Sequence, residues 1–333
     1  MDVATRQQSR QSTTGGSNGV RRGEPRRTLR QRLAQWDVKF SPYLYITPFF
    51  LIFGITGLFP LLYTAFVSLF DWDLGDSNPT FIGVENYAEL VKDDQFWNAL
   101  ANTVSIFLLS SVPQVIVAVI VAALLSTKLR ASTGWRVGVL LPYVASLVAL
   151  TIIFSNLFGT QFGLVNTVLE GIGLDPIDWQ AGTFSSHVAI AFMVNWRWTG
   201  YNALIVLAAM QAIPREVYEA AVVDGASAVR RFFSITLPLL RPTLIFVVIT
   251  STIGGLQIFT EPKLFDSQPG SNNGGSENQF QTITLYMYQS AFQLQDFGYA
   301  SAIAWVLFLV IVVFAVINFL LTRRLASTGG GKG

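Results

Sequence analysis

The densest chemistry in this chain lies in the run Asn195-Trp196-Arg197-Trp198-Thr199-Gly200-Tyr201-Asn202, which mixes amides, a hydroxyl, a guanidinium and large aromatic rings. Amides and hydroxyls offer donors and acceptors together, while aromatic faces stack on apolar C–H surfaces. Saccharides present both kinds of surface. A second reading is equally open: Trp196 and Trp198 belong to an interfacial aromatic belt, and Arg197 snorkels towards the headgroups. Little else in the chain suggests reactive chemistry. There is no cysteine, so disulfides and thiolate metal sites are excluded. The single histidine, His187, has no partner at metal-ligand spacing and is expected to be packed or interfacial. No nucleophile, base or metal constellation that an enzyme would need is visible.

These residues need apolar elements to position them. The 333 residues are 51% hydrophobic and only 13% charged, outside the range of an ordinary soluble domain. A hydrocarbon core ~30 Å thick needs roughly 20 mostly apolar residues per helical span. Intervals 40–70, 95–127, 137–169, 242–260 and 297–322 contain no Asp, Glu, Lys or Arg, and 179–214 is interrupted only by Arg197. Barrel strands would alternate apolar and polar residues, whereas Val115 to Leu125 is apolar on every side. The expected fold is therefore an all-α, polytopic membrane protein with six helices.

Basic residues near span ends stay on the cytoplasmic side. The segments before span one, between two and three, between four and five, and after six hold 19 of the 22 Lys and Arg residues. The opposite connections hold only Lys92 and Lys263, with 14 of the 20 acidic residues. Both termini are expected to be cytoplasmic. The net charge of +2 averages two unlike faces and does not point to nucleic acid.

Residues 1–38 are expected to form a disordered basic cytoplasmic tail, since they carry too few apolar side chains to offset the entropy of ordering. Their arginines serve either as an orientation signal or as a contact for anionic lipid. Residues 39–325 form the six-span domain, and 326–333 form a short cytoplasmic tail. Its GGGKG lacks the following Ser or Thr of a phosphate loop. The outward loop 261–298 has a centre rich in Gly, Asn and Ser, which favours turns.

The longest inward connection reads IPREVYEAAVVDGASAVRRFFSITLPLLRP over 213–242. Pro214 suits the first turn of a helix, Asp224-Gly225 interrupts it, and Ser227 can cap a second helix. Pro238 and Pro242 then redirect the chain into span five. Glu219-Ala220-Ala221, Asp224-Gly225-Ala226 and Leu237-Pro238 closely resemble the EAA loop of permease subunits of binding-protein-dependent ABC importers. The resemblance extends from about Pro48 to Arg324, through FIGVENYAEL (81–90), FWNALANT (96–103), LLPYVASLVAL (140–150) and FGYASAIAWVLFLVI (297–311). It is to the carbohydrate-uptake branch, with its maltose-type and glycerol-phosphate-type permeases.

The resemblance implies a type I importer subunit in a bacterial plasma membrane. Its partners would be a second, homologous permease, two copies of a cytoplasmic ATPase that bind the ATP and Mg, and an extracytoplasmic sugar-binding protein. This chain would hold no cofactor of its own. Glu219, Ala220, Ala221, Asp224, Gly225, Ala226, Leu237 and Pro238 would dock on the ATPase. Carried over position by position, Tyr143, Asn195, Gly200, Tyr201, Asn202 and Gln257 would contact the sugar, with Ser146 and Thr260 as neighbours. The sequence departs from the family's asparagine-rich pattern at GGLQIFTEP (254–262), so the sugar is expected to differ, and the partner permease is an alternative holder of it. The extended loop EPKLFDSQPGSNNGGSENQFQTITLYMY is similar to that of β-glucoside and cello-oligosaccharide permeases. The rival readings are a permease for another solute such as glycerol phosphate, a secondary transporter or channel, and a membrane enzyme. Carboxylates within spans, expected of ion-coupled carriers, are absent from all six intervals.

Overall fold

The computed structural model describes residues 29–73, 75, 78–127, 131–265 and 274–327, with side chains from Phe40 to Leu320. It divides into two compact units, Met1–Pro60 and Leu61–Gly333. Helix α1 spans Leu29–Phe53. It therefore begins inside the stretch expected to be tail, because Leu29, Arg30, Gln31, Arg32 and Leu33 are all good helix formers. Residues 1–28 of that expected tail lie outside the described residues. A π-helical turn at Gly54–Leu58 follows α1, and the Phe59 amide bonds back to the Gly54 carbonyl. Pro60 has no amide hydrogen with which to continue the regular ladder, which accounts for the wider turn there. Helix α2, Phe59–Val67, completes the element.

In the second unit, a short hairpin pairs β1 (Phe70–Asp71) with β2 (Thr80–Phe81), in a register that sets Phe70 opposite Phe81. It is followed by α3 (Glu85–Lys92) and the long α4 (Asp94–Ser126). The expected third span is broken. Helices α5 (Ser132–Val144) and α6 (Leu147–Leu157) meet at 88°, so the apolar interval does not form one straight helix. After α7 (Leu164–Gly171), α8 (Thr183–Gln211) runs unbroken beside α4. The inward connection forms α9 (Arg215–Val223), α10 (Ala228–Arg231), a π-helical turn at Phe232–Thr236 and α11 (Leu237–Leu239). Helix α12, Arg241–Leu256, leaves that assembly at 68°. Helices α13 (Thr260–Phe265), α14 (Ile283–Phe292) and α15 (Phe297–Ser327) complete the chain.

Among the described residues, three helical stretches, Phe40–Val67, Asp94–Ser126 and Phe297–Leu320, are long and apolar enough to cross a membrane. The two bent pairs pass the same test as composite spans. At 29 residues α8 has the length, and its polar cluster makes it less apolar. The six apolar intervals thus correspond to three long helices, the bent pair α5–α6, α8, and α12, while the other arm of the second pair, Ala228–Leu239, belongs to the inward connection. Large apolar side chains such as Val112, Ile116, Leu124, Leu309, Val313 and Ile317 remain exposed along α4 and α15. Such faces suit lipid or a partner helix and would be costly in water.

Buried side chains hold the second unit together in three places. Phe154, Phe158, Trp179, Ile190 and Phe265 join α6, α8 and α13; Phe96, Leu256, Ile283 and Ile303 join α4, α12, α14 and α15. Leu125, Val206, Leu207 and Val247 join the opposite ends of α4 and α8 to α12. The irregular segment before α14 is anchored by polar bonds. Asn102 donates to the carbonyls of Asn278 (2.9 Å) and Gln281 (3.2 Å), and the Ile283 amide donates to Thr103 Oγ1 (2.9 Å). His187 is packed: Nε2 lies 2.9 Å from the Gln279 carbonyl and Nδ1 2.9 Å from Ser105 Oγ. A carbonyl can only accept, so Nε2 carries the hydrogen and donates.

Candidate functional site

Helices α4, α5, α8 and α12 converge on a cavity of about 200 Å³. Its aromatic wall comes from α5 and α8. Tyr143 stacks on Tyr201 with centroids 4.7 Å apart and meets Trp198 edge-on at 5.2 Å. Tyr143 ends α5 just before the 88° bend, so the break sets where this ring stands. The Arg197 guanidinium lies over the wall, 5.6 Å from the Tyr143 centroid and 5.3 Å from Trp198. It therefore packs on the rings, with a buried, unpartnered Nε, instead of standing clear of them.

The facing wall is polar. Asn202 is buried, and its Nδ2 donates to Gln114 Oε1 (3.3 Å) and Ser251 Oγ (3.1 Å), which ties α8 to α4 and α12. Ser111, Thr250, Gly254 and Gly255 complete the lining, and no charged side chain belongs to it. Gly255 is needed for close approach, since a Cβ there would lie 2.8 Å from the Phe107 ring and 2.9 Å from Ser111 Oγ. Amide and hydroxyl groups facing stacked rings can bind a neutral polyol by hydrogen bonds on one side and C–H contact on the other.

Of the residues named from the sequence, Tyr143, Tyr201 and Asn202 meet in this cavity. The other three do not line it. A Cβ on Gly200 would sit 1.8 Å from the Val139 carbonyl oxygen, so this position lets α8 cross α5 closely. Asn195 donates to the Leu109 carbonyl at 3.4 Å and leaves its Oδ1 buried without a partner. Gln257 caps the end of α12 and is exposed. Sequence reasoning missed Ser111 and Gln114, although polar side chains in the apolar interval 95–127 were a usable signal. It also missed Glu261, one residue past the span-five interval, which is 4% exposed and feels the charge of Arg197.

The second candidate region is the inward helix pair. Helix α9 ends in a complete glycine cap: the Gly225 amide bonds to Val222 O (3.0 Å), the Ala226 amide bonds to Ala221 O (2.9 Å), and Gly225 has φ +76°. This pattern places Gly225 at the left-handed position that other residues adopt poorly. Ser227 Oγ accepts from the Arg230 amide at 3.3 Å and starts α10, as its type suggests. The hydroxyls of Tyr218 and Thr236 lie 2.9 Å apart and join α9 to the π-helical turn. Pro238 and Pro242 both fall in first turns, α11 and α12 respectively, where no amide hydrogen is required. Glu219, Ala220, Asp224 and Gly225 are exposed, while Ala221 is buried. A recess of about 1110 Å³ opens beside Tyr218, Glu219 and Val222.

A bundle of apolar helices around a small uncharged cavity, with an exposed pair of short helices at one end, defines a multi-pass membrane transport protein. The chain belongs to the family of binding-protein-dependent transport system inner membrane components, whose model matches residues 99–327. It is 37% identical over 286 residues to the lactose transport system permease protein LacF of Rhizobium radiobacter, covering 85% of this chain and 94% of that one. It is 35% identical over 286 residues to the arabinooligosaccharides transport system permease protein AraP of Halalkalibacterium halodurans, covering 85% and 88%. A solved bacterial alginate ABC transporter, in complex with its alginate pentasaccharide-bound periplasmic protein, contains a chain of the same fold. The TM-score is 0.74 at 21% identity, covering 88% of this chain and 97% of that one.

Proposed function

We propose that this chain is the permease subunit of an ATP-driven importer for a neutral di- or oligosaccharide, forming half of the translocation path. The observation that carries this reading is the cavity, where stacked Tyr143 and Tyr201 face the bonded set Gln114, Asn202 and Ser251. The sugar-transport roles in the names of its relatives favour the same substrate class. The chain itself is non-catalytic. ATP and Mg bind to two copies of a separate cytoplasmic ATPase, a second homologous permease completes the path, and an extracytoplasmic protein delivers the sugar. Residues 213–238 dock on the ATPase, with both termini on that side, since 19 of the 22 basic residues lie in the connections assigned to it. A short, cornered helix pair joined to α8 and α12 can pass ATPase closure to the bundle as rigid-body motion.

The test is uptake by the complete transporter reconstituted in vesicles. Uptake should require ATP and binding protein and should survive collapse of ion gradients by ionophores. Asn202→Leu breaks the two hydrogen bonds that tie α8 to Gln114 and Ser251 at the cavity, which costs about 1–3 kcal/mol in the packing of that wall, and uptake by this variant should fall at matched membrane abundance. Uptake abolished by ionophores at constant ATP would overturn the reading in favour of a secondary carrier.

A further inference from the structure

Lys263 is one of only two basic residues in the connections that hold 14 of the 20 acidic ones. Among the described residues no carboxylate pairs with it. Its ammonium lies instead 3.6 Å from the Tyr288 ring centroid and 5.0 Å from that of Phe259. The same two rings, 5.1 Å apart, form one end of a groove of about 370 Å³. Met287, Phe292, Phe297 and Ala304 continue its walls along α14 and the first turns of α15. Thr64, Phe297 and Ser301 are shared with an adjoining hollow of about 350 Å³ that reaches Val67 and Trp72. The trough is thus long, nearly free of polar atoms, and closed at one rim by a cation.

Three features select its occupant. The protein is embedded in lipid, so an uncharged trough beside the start of a membrane helix is open to acyl chains, which gain about 0.8 kcal/mol per buried CH₂ relative to water. A lysine resting on aromatic faces at a span end sits at the level of the headgroups. Cation–π contact uses the charge of the ammonium but leaves N–H donors free for a phosphate oxygen. We propose that this groove binds one anionic phospholipid, its phosphate at Lys263 and one acyl chain along α14 and α15. The lipid would steady α13 and α14, the elements that follow α12 from the cavity.

Native mass spectrometry of the complete transporter, delipidated and then given phosphatidylglycerol, tests this directly. Wild type should retain one phosphatidylglycerol under conditions that strip bulk lipid. Lys263→Gln should lower its retention about fivefold, as expected for one basic residue at a lipid surface, and Lys263→Arg should restore it. Ala304→Phe, which fills the trough, should abolish retention even with Lys263 present. Inorganic phosphate should not compete, because the acyl chain supplies most of the affinity. Equal retention by wild type, Lys263→Gln and Ala304→Phe would overturn the proposal. So would efficient cross-linking of Ser301→Cys to a companion permease subunit, which would make the groove a subunit interface. Either failure leaves ATP-dependent sugar uptake, and the reading above, untouched.

Discussion

Asp93 shows how one side chain can organise a membrane helix end. It caps α4 by accepting from the Gln95 amide at 2.8 Å, and its other oxygen accepts from Tyr286 and from Tyr299 at 2.6 Å. One carboxylate therefore joins α4, α14 and α15. Burial pushes its carboxyl up, but bonds from Tyr286, Tyr299 and the amides of Gln95 and Phe96 outweigh burial and hold it below the usual range. The sign follows from that depression. The carboxylate's contribution is complete above the ordinary carboxyl value near 4 and is lost as pH falls through the lower folded value. Asp93→Asn keeps the shape but loses the charge, and should cost about 1–2 kcal/mol near neutral pH. Thermal unfolding in detergent should show the gap between wild type and Asp93→Asn narrowing as pH drops below about 4. A gap that stays constant across that range would mean that the ionised carboxylate is not what stabilises the junction.

At the scale of elements, the inward helix pair depends on the corner between α9 and α10. A Cβ added to Gly225 would meet nothing within 4 Å, so bulk is tolerated and only the backbone conformation is at stake. Gly225→Val should therefore cost about 1–3 kcal/mol through its positive φ, whereas Gly225→Asn, which accepts that region, should cost much less. The strain opens the corner and works against the Tyr218–Thr236 contact that sets the two helices side by side. Binding-protein-stimulated ATP hydrolysis should fall together with recovery of the ATPase in pull-downs for Val, and both should largely persist for Asn. Normal assembly and stimulated hydrolysis by the Val variant would remove residues 213–238 from the coupling role.

Across the whole molecule, the charge asymmetry sets a prediction for orientation that needs no removal of native cysteines, because the chain has none. Ser276 and Ser227 are both exposed and lie in connections assigned to opposite faces. In intact cells, an impermeant thiol reagent should label Ser276→Cys from outside and should label Ser227→Cys only after the membrane is opened. Labelling of Ser227→Cys in sealed cells would invert the topology and, with it, the side on which the ATPase docks.

Much of this was readable from local sequence because the causes are local. Apolar runs set which segments enter lipid, Gly225 and Ser227 mark helix ends through backbone conformation and capping, and the EAA resemblance located the inward helix pair. Tyr201 and Asn202 stood out because aromatic and amide groups are conspicuous in an apolar span, whereas Tyr143 was named through the family resemblance. What escaped depends on distant parts of the chain coming together. The 88° turn between α5 and α6 leaves no gap in the apolar interval, yet it places Tyr143 at the cavity. Gly200 and Gln257 carry polar-site expectations in sequence, but helix crossing buries the first against Val139 and the end of α12 turns the second outward. Asp93 meets Tyr286 and Tyr299 only after some two hundred residues have folded back, and Gln114 meets Asn202 only when α4 lies along α8. Periodicity and capping specify the elements residue by residue, whereas close packing of several helices decides which of their polar groups share a cavity.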